Sequence, residues 1–382
     1  MIRVDTMVVG GGPAGSAAAC GLARDGHDVM LIERTAAPHH KVCGEFLSAD
    51  TQILLQRLGI DALALGAAPV AEIALYTSSR SLTSTLPFRG LSLSRYRLDA
   101  ALMQQAQFSG ARLHRGVAAR AVRRDASGWS VVCDNGHTIG CRNLVVATGK
   151  LGLRGIDDKR DHSRVGLKMH LRPTCALHRT LEGRVELYFL DAGYAGLELV
   201  EDGVANLCMV LPQATAGKSG ASWPVLRDRL MTALPELAKR LTDAEPLWDK
   251  PKAVACPGGG HLHREMDAAA YRVGDRLAHI PPFTGDGLAI ALGSAALAVE
   301  HIRQGLAADR YLAAARDLTA GPIQLASVIA RLAGHRFSRN LMFAAAARNP
   351  GLIRAIVRRT RLPQTPGATA ADVRPSMARG TP

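Results

Sequence analysis

The sequence predicts an α/β fold: a parallel strand–helix–strand nucleotide-binding domain, a second layer of mostly antiparallel sheet, and a helical C-terminus. Three observations carry this. Residues 4–33 place strand, glycine turn, helix, strand and terminal acid in unbroken order. Residues 68–93 and 185–211 contain short strand-like runs broken by turn residues. From Ala307 to Arg361 the chain reads as helix with glycine breaks.

The first unit is the most informative. Val4–Val9 is a short apolar run rich in β-branched residues, which reads as a buried parallel strand. Gly10-Gly11-Gly12-Pro13-Ala14-Gly15 follows at once and fits G-x-G-x-x-G. Gly10 permits the tight turn, Gly12 lets backbone approach a pyrophosphate, and Gly15 lets the following helix pack close to the sheet. That helix, Ser16–Asp25, would offer unpaired N–H groups and a partial positive charge to the phosphates. A second strand, Val29–Ile32, ends in Glu33, near the offset at which an acid binds ribose hydroxyls. A carboxylate there repels a 2′-phosphate.

Bulk properties exclude several classes. A chain of 382 residues, 47% hydrophobic, has ample core for one large or two interleaved domains. No stretch is long and apolar enough to span a bilayer, and no signal peptide is legible. Seven scattered cysteines without C-x-x-C pairs predict a reducing, cytoplasmic setting and argue against structural zinc or a disulfide reductase. The net charge of +14 comes with only 4% aromatics and no basic–aromatic stretch, so no nucleic-acid surface is expected. The charge fits a solvated surface, an anionic substrate or a membrane face.

Further along, His39–Ser48 mixes basic, thiol, glycine and acidic residues and reads as a loop beside the nucleotide site. The His39-His40 pair has diverging side chains and no spaced third ligand, so no metal is expected. Ser48 can cap a helix over Ala49–Leu58. A helix follows over Ala100–Phe108, then short strands, a hairpin around Asp134-Asn135-Gly136, and a buried strand ending at Thr148-Gly149. Residues 151–173 read as basic and irregular. Trp223–Leu241 reads as helix broken at Pro235, and Pro251–Arg264 as loop. Tyr271–Asp275 reads as a short strand, then a Pro/Gly loop over Pro281–Gly287 and a small-residue helix over Leu288–Arg303. Residues 363–382 read as a disordered tail.

Together these residues resemble the flavoprotein superfamily of p-hydroxybenzoate hydroxylase, the geranylgeranyl reductases and the flavin-dependent halogenases, over most of residues 3–305. The resemblance implies an FAD-binding Rossmann-like domain of the glutathione-reductase type with an antiparallel β-sheet substrate domain. Its first part would span residues 1–150 with inserted strands near 68–93, and its second part 256–305. The substrate domain would span 151–255, and C-terminal helices 306–362. Gly10, Gly12, Pro13, Ala14, Gly15, Glu33 and Arg34 would hold the adenosine end. Lys41, Cys43 and Gly44 look like the loop beside the flavin, and Cys43-Gly44 is similar to the Cys-Gly of geranylgeranyl reductases. Arg95 with Asp99 is similar to the family's Arg-x-x-x-Asp, and Gly149 closes the returning Ala-Thr-Gly strand. Asp275 would hold the ribityl chain, and Pro282, Gly285, Gly287 and Leu288 would lie under the isoalloxazine ring. Helix N–H groups near Gly287 would then stabilise the negative charge of reduced flavin.

The chain also departs from its relatives. Thr148-Gly149-Lys150 stands where hydroxylases carry Asp-Gly, and Tyr194–Glu198 lacks the tryptophan of the reductases' Tyr-x-Trp-x-Phe-Pro. The halogenases' Trp-x-Trp-x-Ile-Pro is absent. The reading is an FAD oxidoreductase of secondary or lipid metabolism, first of all a monooxygenase acting on a small apolar aromatic, polyketide or quinol-like substrate. NADH or NADPH would be its transient electron donor. A double-bond reductase and a membrane-associated electron carrier are the alternatives. No catalytic acid or base is named. The basic stretch Asn349–Arg361, with Leu352, Ile353, Ile356 and Val357 on one helical face, suggests peripheral contact with a membrane or an acidic carrier. Its alternative is a helix packed on the body with solvated arginines.

Overall fold

Buried apolar strands and small-residue helices build the first layer. The computed structural model describes residues 2–156, 163–191, 193–216, 222–256, 260–262, 269–349 and 351–363. The tail expected beyond Pro363 and most of the glycine run 258–260 lie outside them. Strand β1 (Ile2–Val9) enters the glycine turn, α1 (Pro13–Arg24) follows, and β2 (Val29–Glu33) returns beside β1. A loop leads to β3 (Phe46–Leu47) and to α2 (Ala49–Arg57), whose Ser48 cap accepts from the Thr51 N–H. The chain leaves for the second sheet as β4 (Ala68–Tyr76) and β5 (Ser81–Ser92). It returns through α3 (Arg95–Phe108), β6 (Arg112–Arg115), β7 (Ala119–Asp125), β8 (Gly128–Cys133) and β9 (Thr138–Val146).

The second sheet is then completed by β10 (Arg164–Pro173), α4 (Cys175–Leu181), β11 (Gly183–Leu190), β12 (Gly193–Leu199) and β13 (Ala205–Pro212). Short α5 (Gln213–Ala216), then α6 (Trp223–Ala233) and α7 (Pro235–Thr242), lead to β14 (Ala244–Pro246) and β15 (Lys252–Cys256). The last part holds β16 (His261–Leu262), β17 (Tyr271–Arg272), β18 (Ala278–His279), α8 (Gly287–Arg303), α9 (Ala308–Gly334), α10 (Arg336–Arg348) and α11 (Gly351–Arg359).

The first sheet runs β6-β2-β1-β9-β8-β7, with β17 also paired to β9. Strands β6, β2, β1, β9 and β17 are parallel neighbours. Period-2 alternation sends Val8, Leu31 and Val145 to the core under α1 and α8. Met7, Ile32 and Val146 go to the opposite core, against Val122, Trp129 and Val131 of the β7–β8 hairpin.

The second sheet runs β14-β10-β13-β12-β11-β4-β5-β3, with β15 on β10. Its pairings are antiparallel except β11 with β4, which is parallel. This corrects the antiparallel expectation to a mixed sheet. The physical reason is connectivity: β4 and β11 are separated by the excursion through the first sheet, a crossover long enough to bring strands back in parallel. Two further expectations are corrected. The segment 164–173, read as irregular, is the ten-residue strand β10, and 252–256, read as loop, is β15.

Alternation divides the second sheet as well. Tyr76, Met169, Tyr188, Ala195, Leu197, Leu207 and Met209 form a core with Trp223, Leu226, Leu230 and Leu237 of α6 and α7. The opposite face carries Leu75, Leu187, Tyr194, Gly196, Glu198, Cys208 and Val210, and looks across at the first sheet.

Candidate functional site

One cavity of about 710 Å³ occupies the space between the two sheets. Its first half lies at the carboxyl ends of β2, β1, β9 and β17, where an open parallel sheet presents ligand-binding loops. The residues there are Gly10, Gly12, Glu33, Gly149, Gly274 and Asp275. A Cβ at Gly15 would stand 1.9 Å from the Gly10 carbonyl oxygen, so this glycine is needed to dock α1 against the turn. A Cβ at Gly12 would meet nothing nearer than Arg95 Nη2 at 3.8 Å. The space before Gly12 is open, and α1 begins there without a side-chain cap. Its free N–H groups face that space, which fits a pyrophosphate. Arg95 is half-buried beside it; burial works against its charge, but Asp99, held at 2.6 Å and 2.8 Å through two bonds, outweighs burial and keeps it charged. Lys41 Nζ lies 3.5 Å from the same carboxylate.

Glu33 ends β2 with its carboxylate turned into the turn. Oε2 accepts from the Gly11 N–H at 2.7 Å, and Oε1 from the Thr35 N–H and hydroxyl. Burial alone would raise its pKa, but Lys41 and these hydrogen bonds outweigh burial and hold it below the ordinary carboxylate value. It stands ionised on the cavity wall, as ribose hydroxyls require.

The loop 41–45 is clamped between the sheets. Glu45 has a left-handed backbone, φ +64°, and a fully buried side chain. Its carboxylate pairs with Lys168 Nζ, accepts the Arg95 N–H at 2.6 Å, and meets His170 Nε2 at 3.1 Å. Burial pushes this carboxyl up; the His170 bond and the Lys168 ammonium push harder the other way, so it stays below its ordinary value. Asn206 Nδ2 donates to the carbonyls of Cys43 and Gly44 at 3.3 Å and 3.0 Å. Cys43 is half-buried and lines the cavity. His40 packs against Tyr96, His170 and Trp248, and burial, then its cationic neighbours, lower it to about 4, so it is neutral.

His40, Glu45 and His170 each bring one donor atom within 4.8 Å of the others. Of the His39-His40 pair only His40 belongs to this group; Glu45 comes from the same loop and His170 from the distant strand β10. Glu45 already pairs with the Lys168 ammonium, which repels a cation, and the arrangement acts as a clamp on the loop.

The second half of the cavity is apolar. Ile73, Leu75, Leu187, Phe189, Val210 and Val254 line it from the sheet. Ile329, Met342, Phe343, Ile353, Ile356 and Val357 close it from α9, α10 and α11. The apolar face foreseen on the C-terminal helix therefore covers the cavity, with Arg354, Arg358 and Arg359 outward. Arg361 fixes this wall: it pairs with Asp286 and donates to the Thr284 carbonyl at 3.2 Å. Burial raises Asp286 to about 7, against the pull of Arg361. Next to Asp286, α8 begins at Gly287 with its first turn on the cavity.

Glu198 is the one acid on the cavity face of β12. It is buried, and Ser92 Oγ donates to Oε2 at 2.7 Å. Burial raises it to about 8; the Ser92 bond opposes the rise and Glu45 adds to it, so it carries a proton at neutral pH. Tyr194, four residues back on the same face, packs edge-on against Phe283, ring centres 6.0 Å apart.

Of the cofactor-binding residues expected from the sequence, all but Gly15 line this cavity, and Asp99 stands behind Arg95. Gly15 lies behind it as a packing contact. Sequence reasoning missed Glu198, Lys168, His170 and Asn206 as site residues. The first was visible only as the end of Tyr194–Glu198, and the other three lie on strands β10 and β13, whose facing depends on register.

Residues 3–154 match the model of the FAD binding domain family. The chain is 28% identical over 329 residues to the menaquinone reductase of Mycolicibacterium smegmatis, covering 80% of this chain and 78% of that protein. It is 27% identical over 328 residues to digeranylgeranylglycerophospholipid reductase 2 of Methanopyrus kandleri, covering 81% and 79%. Among solved structures, the flavin-dependent brominase Bmp2 shares the fold with a TM-score of 0.76 at 19% identity, covering 94% of this chain and 93% of that one. The glycine cradle, the ionised acid after β2 and these matches agree: the chain belongs to the FAD-dependent oxidoreductase superfamily.

Proposed function

We propose that this flavoprotein reduces a carbon–carbon double bond in a long apolar, polyprenyl-type substrate. The observation that carries the reading is the cavity itself, which joins the nucleotide cleft to a compartment walled by aliphatic side chains and three C-terminal helices. Its relatives of comparable length are named reductases of menaquinone and of a digeranylgeranyl lipid. The fold relatives among halogenases support the fold alone and do not bear on the chemistry.

FAD bound in this cleft and reduced by NADH or NADPH would supply the hydride for such an addition. The chain supplies the rest. Gly12, the first turn of α1 and Arg95 orient the pyrophosphate, Glu33 the ribose, and Asp275 the ribityl chain. The loop 41–45 and the start of α8 fix the ring against the apolar compartment. Gly196 leaves the wall between Tyr194 and Glu198 without a side chain, so a flat polyprenyl unit can lie there. Glu198 holds a proton at its carboxyl and delivers it to the carbon that does not receive hydride. The aliphatic walls keep water away from both.

The test is anaerobic turnover of a polyprenyl quinone with NADH or NADPH, followed by mass analysis. A product heavier by two hydrogens is expected. Oxygen insertion, which the sequence ranks first, would instead need oxygen and leave label from ¹⁸O₂ in the product. Reoxidation of the flavin with the polyprenyl chain unchanged would point to an electron carrier.

A further inference from the structure

The outer side of the helices that close the cavity has its own pattern. From Leu318 to Pro363 the chain contains no Asp or Glu and eight arginines: 331, 336, 339, 348, 354, 358, 359 and 361. Two of these have structural work, Arg339 with Asp191 and Arg361 with Asp286. The other six are exposed, and none makes an ion pair among the described residues. Between them stands an apolar ridge. Val328 and Leu332 on α9 are each 43% exposed, and Phe337 and Leu341 on α10 are 84% and 63% exposed. Each pair is spaced i, i+4, so each makes one stripe on its helix. The same helices turn Ile329, Met342 and Phe343 into the cavity. Their outward apolar side chains are therefore not needed for the core.

We infer that this face of α9–α11 docks on an anionic phospholipid bilayer. The ridge of Phe337, Leu341, Leu332 and Val328 enters the acyl boundary, and the surrounding arginines meet lipid phosphates. Charge decides for this partner: a ridge ringed by unpaired cations, in a stretch without acids, complements an anionic surface and repels a second copy of itself. No helix among the described residues is long and apolar enough to cross a membrane, so the contact is peripheral. Resting on the function proposed above, the geometry also gives a route. A substrate dissolved in the bilayer enters the cavity through the wall that α10 and α11 form, without crossing water.

The test uses the full-length holoprotein and sedimentation with vesicles of phosphatidylcholine alone or mixed with phosphatidylglycerol. Binding to the mixed vesicles only, weakened by salt, is expected. Phe337→Ser with Leu341→Ser, and separately Arg336→Gln with Arg348→Gln and Arg354→Gln, should each lower it at least tenfold. Both sets are solvent-facing, so bound FAD and the melting temperature should not change. Equal binding by the variants, or no binding at low salt, overturns the inference. So does a dimer that the serine variant converts to monomer while vesicle binding is kept. The vesicle assay needs no substrate, so a failure of the reductase reading leaves it interpretable. If docking holds and reduction does not, only the entry route is lost.

Discussion

Single side chains set the two chemical tasks of this site, holding a dinucleotide and holding a proton. Gly12 is the more sensitive for the first. Its missing Cβ opens the space before α1, and Gly12→Val would fill that space without clashing with the protein, since Arg95 is 3.8 Å from the Cβ position. The variant should fold and lose its flavin; full yellow colour after purification would remove the pyrophosphate from this turn. Glu198 is the more sensitive for the second. Its ordinary value of 4.5 is raised to about 8 in the fold, first of all by burial. A raised acid is protonated below the folded value, so turnover that uses its proton is full in acid and falls as pH rises through about 8. Stability follows the same sign. Between the unfolded and folded values the native state keeps a proton the unfolded chain releases, costing about 1.4 kcal/mol per pH unit. Glu198→Gln cannot ionise. It should flatten the alkaline limb of kcat, lower kcat about 100-fold or more, and melt no lower than the parent at pH 8–9. A glutamine variant with an unchanged kcat profile would place the proton elsewhere.

At the level of elements, what the sequence made legible was whatever is local. The unit β1–α1–β2 lies within 33 residues, and every part of its pattern is read from neighbours. Strand β10 was hidden for a physical reason. Its cavity face carries Lys168 and His170, which look like surface residues until Glu45, over a hundred residues earlier, pairs with both of them in the interior. Strand β15 was hidden by Pro251 before it and the glycines after it, although it pairs with β10 along five residues. The clamp on loop 41–45 was unreadable because it draws on β10, β13 and the start of α3 together. It also makes a prediction. Lys168→Met leaves the buried Glu45 carboxylate without its ammonium and should destabilise the fold by about 3–5 kcal/mol in chemical denaturation. Adding Glu45→Gln removes the stranded charge and should recover a large part of that loss. A double variant as unstable as the single one would mean that packing, not charge, makes the clamp.

Over the whole molecule the cavity is assembled from segments that do not adjoin in sequence: the β1 turn, loop 41–45, the end of β9, the turn at Gly274-Asp275 and the loop before α8, and the three terminal helices. A cofactor bound there ties the pieces of the first layer to one another and to the second sheet. Linkage then requires that FAD stabilise the chain as a unit, by about 4 kcal/mol at a thousandfold excess over Kd. The distribution of that gain is more telling than its size. If the dinucleotide runs from the glycine turn to the first turn of α8, hydrogen exchange in the deflavinated protein should quicken at residues 10–15, 41–45 and 282–288 together. Returning FAD should slow all three with the same dependence on its concentration. ADP occupies only the adenosine half of such a site, so it should protect 10–15 and the end of β2 and leave 282–288 exchanging as in the apoprotein. Equal protection of 282–288 by ADP and FAD would show that the loop before α8 responds to closure of the fold and not to the flavin ring, and the assignment of Pro282, Gly285, Gly287 and Leu288 to the ring would fall with it.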